Sequence, residues 1–149
     1  MKIFITLVLF LLTFSFNVLS DLNKSNVLIK NSDLSEKLIF AEIADTPRSR
    51  SRGLMGRQTL PNDTGMIFVW DSEEYRHFWM KNTPLSLDIV FFDENGLFIN
   101  AIVNTEPYSL ENLSSEKPSQ YVLELVAGSV LKYKISEKSR LIASFIKLQ

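Results

Sequence analysis

Apolar positions along the chain fall into short runs separated by polar turn sequences, and most runs repeat nearer to every second residue than to a helical spacing. Leu38 to Ala44 partly alternates, with Leu38, Phe40 and Glu42 on one side and Ile39, Ala41 and Ile43 on the other, as expected of a strand with one apolar face. Met66 to Trp70, His77 to Met80 and Leu85 to Phe92 are short, rich in aromatic or β-branched residues and bounded by turn residues, which favours strands. Asp93-Glu94-Asn95-Gly96 predicts a tight hairpin into a strand over Leu97 to Asn104. A loop from Glu106 to Gln120 carries Pro107 and Pro118 near its ends. Strands are expected after it over Tyr121 to Val126 and Leu141 to Lys147.

Helical signals are few. Thr46 followed by Pro47 reads as an N-cap with proline at the first helical position, and Gly56 as a terminator, predicting a short helix over Pro47 to Met55. Gly128 to Tyr133 predicts one or two further turns. The sum is an α+β domain of mostly antiparallel strands, a small barrel or curled sheet with one or two short helices, uninterrupted by repeats.

The N-terminus reads differently. Lys2 supplies a positive start, Ile3 to Phe16 is almost wholly apolar, and Val18 and Ser20 fit the small positions before a cut, so residues 1–20 read as a secretory signal peptide. The apolar stretch falls short of the roughly 20 residues that span a bilayer, so cleavage is expected rather than anchorage, with no stable membrane span afterwards. Residues 21–36 are polar, apart from Val27-Leu28-Ile29, and read as an N-terminal tether leading into an edge strand. Residues 37–149 then form a single domain. The expected location is periplasmic or secreted.

The chain has 16 Lys and Arg against 17 Asp and Glu, and losing Lys2 with the leader moves the formal charge from −1 to about −2. That balance makes nucleic acid an unexpected partner. Without cysteine there is no lipoprotein anchor, disulfide or thiol chemistry, and the core alone must hold the fold.

Three dense, irregular stretches stand out: Arg52-Gly53-Leu54-Met55-Gly56-Arg57, Gly65-Met66-Ile67-Phe68-Val69-Trp70 and Phe78-Trp79-Met80-Lys81-Asn82-Thr83-Pro84. With Leu87-Asp88-Ile89, Tyr121-Val122-Leu123-Glu124-Leu125 and Ala127-Gly128, they make the chain resemble the domain of unknown function 192 family, small and often exported prokaryotic proteins, over Leu38 to Ile142. The resemblance implies no particular activity, cofactor or partner. Three departures from the family pattern are visible. Pro84 follows Asn82-Thr83 directly, Glu137-Lys138-Ser139-Arg140 replaces a usual Gly-Asp step, and His77 stands where the family shows no preference.

Four constellations carry candidate chemistry. Alternation sets Glu124 beside Val122 and Val126, and Asp88 beside Val90 and Phe92. Both acids therefore point at apolar neighbours and need neutralising or pairing, with Arg52 and Lys81 the nearest basic candidates. As a raised-pKa acid or an acid pair, Asp88 and Glu124 are the candidate catalytic residues. Met55, Met66, Met80 and His77, with Trp79 beside them, are ligand types that suit Cu(I), making copper the candidate metal; core filling is the plainer role for the methionines. Arg48, Arg50, Arg52 and Arg57 cluster around a helix start and could hold an anion, with Arg52 expected to point inward. Trp70, Tyr75, Phe78 and Trp79 suit either core packing or an apolar contact.

No phosphate loop, nucleophile elbow or metal-hydrolase pattern is present, and His77 is the sole histidine. The expectation is therefore a non-enzymatic exported binding or accessory domain for a small ligand or another exported protein. Its pocket is expected from Arg52, Met55, Trp79, Met80, Lys81, Asn82, Asp88 and Glu124. The alternatives are a carboxylate-based hydrolase or lyase and a periplasmic Cu(I)-binding protein.

Overall fold

Strands dominate the computed structural model, which describes residues 23–146; the leader read over residues 1–20 lies outside them. In chain order the elements are β1 (Lys24–Lys30), β2 (Glu36–Ala44), α1 (Pro47–Arg52), β3 (Thr64–Glu74), β4 (His77–Phe78), β5 (Leu87–Phe92), β6 (Phe98–Ile102), β7 (Leu113–Ser114), β8 (Ser119–Val126), α2 (Ser129–Lys132) and β9 (Arg140–Ile142). Seven strands form one sheet in the order β6-β5-β8-β3-β2-β1-β9, and β4 pairs with β7 in a small second sheet. The α+β class and the curled, mostly antiparallel sheet agree with the sequence reading. β2 and β3 are the parallel exception.

The sheet curls until its two edges meet. Leu97, beside β6, bridges to Arg140 of β9, and the Leu141 amide donates to the Gly96 carbonyl at 2.7 Å. Gly96 has φ +75°, and a Cβ there would lie 2.3 Å from the Leu141 carbonyl oxygen, so both the turn and the edge contact require glycine. Asp93 Oδ1 accepts from the amides of Asn95 and Leu97 at 2.9 and 2.7 Å, which fixes the predicted hairpin.

Alternation divides the apolar residues between two cores. The inner face buries Ile39 and Ala41 of β2, Ile67 of β3, Val90 of β5 and Leu123 of β8 inside the curl. The outer face buries Met66 and Phe68 of β3, Ile89 and Phe91 of β5 and Val122 of β8 under a layer that includes Leu54, Leu60 and Met80.

Several boundaries differ from the sequence reading. Lys24 to Lys30, part of the segment read as a tether, is a strand paired with β2 on one side and β9 on the other, with Val27 and Ile29 fully buried. α1 ends at Arg52 because Gly53 takes φ +48° while its amide closes the last turn on the Ser49 carbonyl. The loop from Glu106 to Gln120 contains β7 and the first two residues of β8. The last strand starts a residue earlier than expected and ends at Ile142. Trp79 and Met80 fall beyond β4.

Candidate functional site

A parallel pair cannot be joined by a tight hairpin, so the chain between β2 and β3 crosses the outer face as α1 and the turns after it. α1 starts where the sequence predicts. Thr46 Oγ1 accepts from the Ser49 amide at 3.1 Å, and Ser49 Oγ accepts from the Thr46 amide at 3.0 Å. Gly53 then seats against the Phe68 ring, where a Cβ would come within 3.3 Å of it. The Gly56 amide donates to the Asn82 carbonyl at 2.8 Å, so the first and third irregular stretches join through backbone while the second lies beneath them.

Beside this crossover lies a cleft of about 720 Å³, bounded by α1, the turn after it, the end of β2 and the start of β1. Met55, half-buried, and Met66, buried in β3, give it apolar surface. Lys24, Arg48, Arg52 and Arg57 give it positive charge, against Glu42 and Asp45.

The arginines have separate duties. Arg57 forms a two-pronged ion pair with Glu42, both N···O distances being 2.7 Å. Arg50 turns away, donates to the Asp45 and Val69 carbonyls and stacks over Trp70 at 5.3 Å. Arg48 and Arg52, four apart on one helical face, both line the cleft and have no ion-pair partner among the described residues. Arg48 therefore joins Arg52 at the cleft, where the sequence singled out Arg52 alone.

The remaining expected pocket residues disperse. Trp79 is half exposed and covered by the Lys81 ammonium at 5.0 Å, a surface pair rather than a pocket wall. Met80 is buried in the outer core. Asn82 is exposed with φ +55° and contributes its carbonyl to the Gly56 contact. His77 is exposed, and its Nδ1 lies 2.9 Å from Ser114 Oγ across β4 and β7. Of the residues named for copper, Met55 and Met66 share the cleft, while Met80 and His77 do not line it. Among the described residues no group of three or more His, Asp or Glu is placed to hold a metal.

The two acids lie on opposite faces of the sheet. Across β5 and β8 the register pairs Asp88 with Leu125 and Ile89 with Glu124, so the carboxylates are divided by the sheet and form no acid pair. Asp88 is fully buried on the inner face and accepts the Asn104 amide on Oδ1 at 2.9 Å and the Val130 amide, in the first turn of α2, on Oδ2 at 2.8 Å. It fastens α2 and the turn after β6 to β5, a structural task that satisfies its charge.

Glu124 sits on the outer face, directly across from Met66 on β3 and Ile89 on β5. It is 5% exposed, its Oε2 has no hydrogen-bond partner, and the expected ion pair with Arg52 or Lys81 is absent. Burial pushes its carboxyl up to about 8, so at neutral pH it is an uncharged acid. The requirement that a buried carboxylate be neutralised is met by a proton.

Sequence reasoning missed three participants. Lys24 was hidden by the tether reading. Glu42 was placed correctly on its face, but nothing nearby in sequence announces Arg57. Arg76 is 8% exposed, donates through Nε to the Ser119 carbonyl at 2.9 Å and lies 4.2 Å over the Trp70 ring that Arg50 also covers, a role that no local pattern signals.

Comparison with known proteins adds a family. The model of DUF192, described as an uncharacterized ACR family, matches residues 28–143. Among solved structures, a Sinorhizobium meliloti protein described as a "putative transcription regulator" is 32% identical with a TM-score of 0.81, the match covering 83% of this chain and 96% of that one. A protein of unknown function from Novosphingobium aromaticivorans is 28% identical with a TM-score of 0.80, over 84% of this chain and 89% of that one. No curated protein matches the sequence.

Proposed function

This chain belongs to the DUF192 family, and from that premise we propose that it is an exported, non-enzymatic binding or accessory domain whose ligand occupies the cleft beside α1. The observation that carries the reading is the cleft itself: about 720 Å³, with Met55 and Met66 on its apolar side and Lys24, Arg48 and Arg52, which have no ion-pair partner among the described residues, at its rim. The dispersal of Asp88 and Glu124 to opposite faces supports a non-enzymatic role, because it leaves the best acid candidates without a partner for proton transfer. A formal net charge of −1 supplies no general attraction to a polyanion, so the regulator description of the Sinorhizobium protein is not adopted. Export rests on the leader pattern of residues 1–20. No helix among the described residues is long and apolar enough to cross a membrane.

Native mass spectrometry of the chain isolated gently from its export compartment tests the reading. The expected result is a discrete added mass that disappears in a Met55→Trp variant, where the larger side chain protrudes into the cleft beside Arg52. A wild-type chain that carries no added mass, and whose behaviour toward exported proteins ignores Met55→Trp, overturns it. A copper adduct would instead favour the two cleft methionines, Met55 and Met66, as thioether ligands.

A further inference from the structure

We propose that the cleft takes an amphiphilic anion: a molecule with an apolar body and a terminal carboxylate or phosphate, the body against Met55 and Met66 and the acid between Arg48 and Arg52, with Lys24 across the opening. This inference rests on the binding reading above and names the ligand's chemical class.

The first argument is charge. Glu42 neutralises Arg57 within the cleft wall, its two oxygens meeting two guanidinium nitrogens at 2.7 Å. Subtracting that pair leaves Lys24, Arg48 and Arg52 against Asp45 alone. The neutral Glu124, one strand behind Met66, adds no opposing charge beneath the floor.

The second argument is placement. Arg48 and Arg52 stand four residues apart on one face of α1, where like charges repel. Arg50, on another side of the same helix, is fully occupied by two carbonyls and an indole. The helix thus turns two guanidinium groups, without ion-pair partners among the described residues, toward one concave surface, an arrangement that an anion relieves.

The third argument is the floor. A site for a small inorganic ion needs no apolar surface and closes tightly around the ion. Here the half-buried Met55, with the buried Met66 behind it, gives an apolar side to a space large enough for an organic molecule.

The test is calorimetric titration of the full chain with octyl phosphate, with octanol and inorganic phosphate as single-property controls. The expected result is one-to-one binding of octyl phosphate that weakens with salt, with both controls at least about tenfold weaker. The Arg48→Gln/Arg52→Gln double variant should lose affinity for octyl phosphate by a similar factor, and Arg48→Lys/Arg52→Lys should recover part of it. Both side chains are exposed, so little loss of stability is expected in either variant. Anionic vesicles added to the octyl phosphate complex separate the sources of such a ligand: displacement identifies a lipid headgroup, and persistence a soluble acid. Equal binding of octanol and octyl phosphate, unchanged in the double variant, overturns the anionic class while leaving the cleft a binding site. Binding of inorganic phosphate as tight as octyl phosphate overturns the apolar half. If wild type takes none of the three, the class is refuted, and the added-mass experiment decides separately whether the cleft binds anything.

Discussion

Replacing Glu124 by Gln keeps the shape of the side chain and removes its titration, which makes the pH dependence of stability a direct reading of its environment. Burial raises the folded carboxyl from 4.5 to about 8, so between those values the folded chain holds a proton that the unfolded chain has released. Stability must therefore fall as pH rises through this window. Below it both states are protonated and Glu124 contributes no slope. Within it each pH unit removes about 1.4 kcal/mol, and above it the loss levels off at an accumulated value on the order of 5 kcal/mol. Set against a total of about 5–15 kcal/mol for an ordinary domain, that loss is large enough to leave the fold marginal in mild alkali. Urea unfolding followed by the fluorescence of Trp70 and Trp79, at intervals from about pH 5 to 9, measures it. Asp33 and Asp63 do not confuse the result, because hydrogen bonding to Ser35 and Lys37 respectively holds their carboxyls below the ordinary range, so the stability they contribute is lost only as pH falls through lower values. The wild type should lose stability steadily across the window, and Glu124→Gln should flatten the curve and be the more stable protein at its alkaline end. Parallel curves for the two proteins would refute the reasoning, since they would require Glu124 to be ionised in the folded state.

Asp88→Asn removes the charge that two backbone amides share and turns an amide group toward one of them; a loss of about 2 kcal/mol is expected in the same assay, with faster amide exchange at Val130. Gly96→Ala drives a Cβ into the Leu141 carbonyl at a positive φ, and should cost about 3 kcal/mol or more while raising exchange at the Leu141 amide where the curled sheet closes. A double-mutant cycle on Arg57→Ala and Glu42→Ala should give a coupling of about 1 kcal/mol that shrinks with added salt, because both side chains keep partial solvent contact.

Local chemistry was legible in the sequence and pairing was not. The start of α1 followed from Thr46 and Pro47, whose hydrogen bonding and fixed φ act within a few residues. The hairpin after β5 followed from Asp93 and Gly96 for the same reason. Alternation correctly set Asp88 and Glu124 among apolar neighbours, but which face each occupies relative to the other depends on the register between β5 and β8, and a strand carries no mark of its partner. β1 was misread because Lys24, Asn26 and Lys30 dominate its composition. Only Val27 and Ile29 face the inner core, and they suffice because strands pair on both sides. Of the eight residues expected together, Arg52 and Met55 line the cleft, Trp79, Met80, Lys81 and Asn82 belong to the surface and the cover, and Asp88 and Glu124 are buried on opposite faces of the sheet.

The position of the cleft follows from the one parallel step. Because β3 lies beside β2 in the same direction, the connecting chain must climb onto the outer face. It arrives over Phe68 and continues toward the Asn82 turn, so the cover buries the outer faces of β3, β8 and β5. It does not extend across β2, whose outward Leu38 and Phe40 stay 42% and 55% exposed while Met66 and Phe68 on the adjacent strand are sealed. A step is left where the cover stops, and α1 forms its rim. Residues on such a rim keep one side in water, which is where unpaired arginines are cheapest to hold, and the other over the buried thioether of Met66. Charge above apolar surface is thus a consequence of where the crossover ends. Two of those rim positions, Arg48 and Arg52, are cations with no ion-pair partner among the described residues.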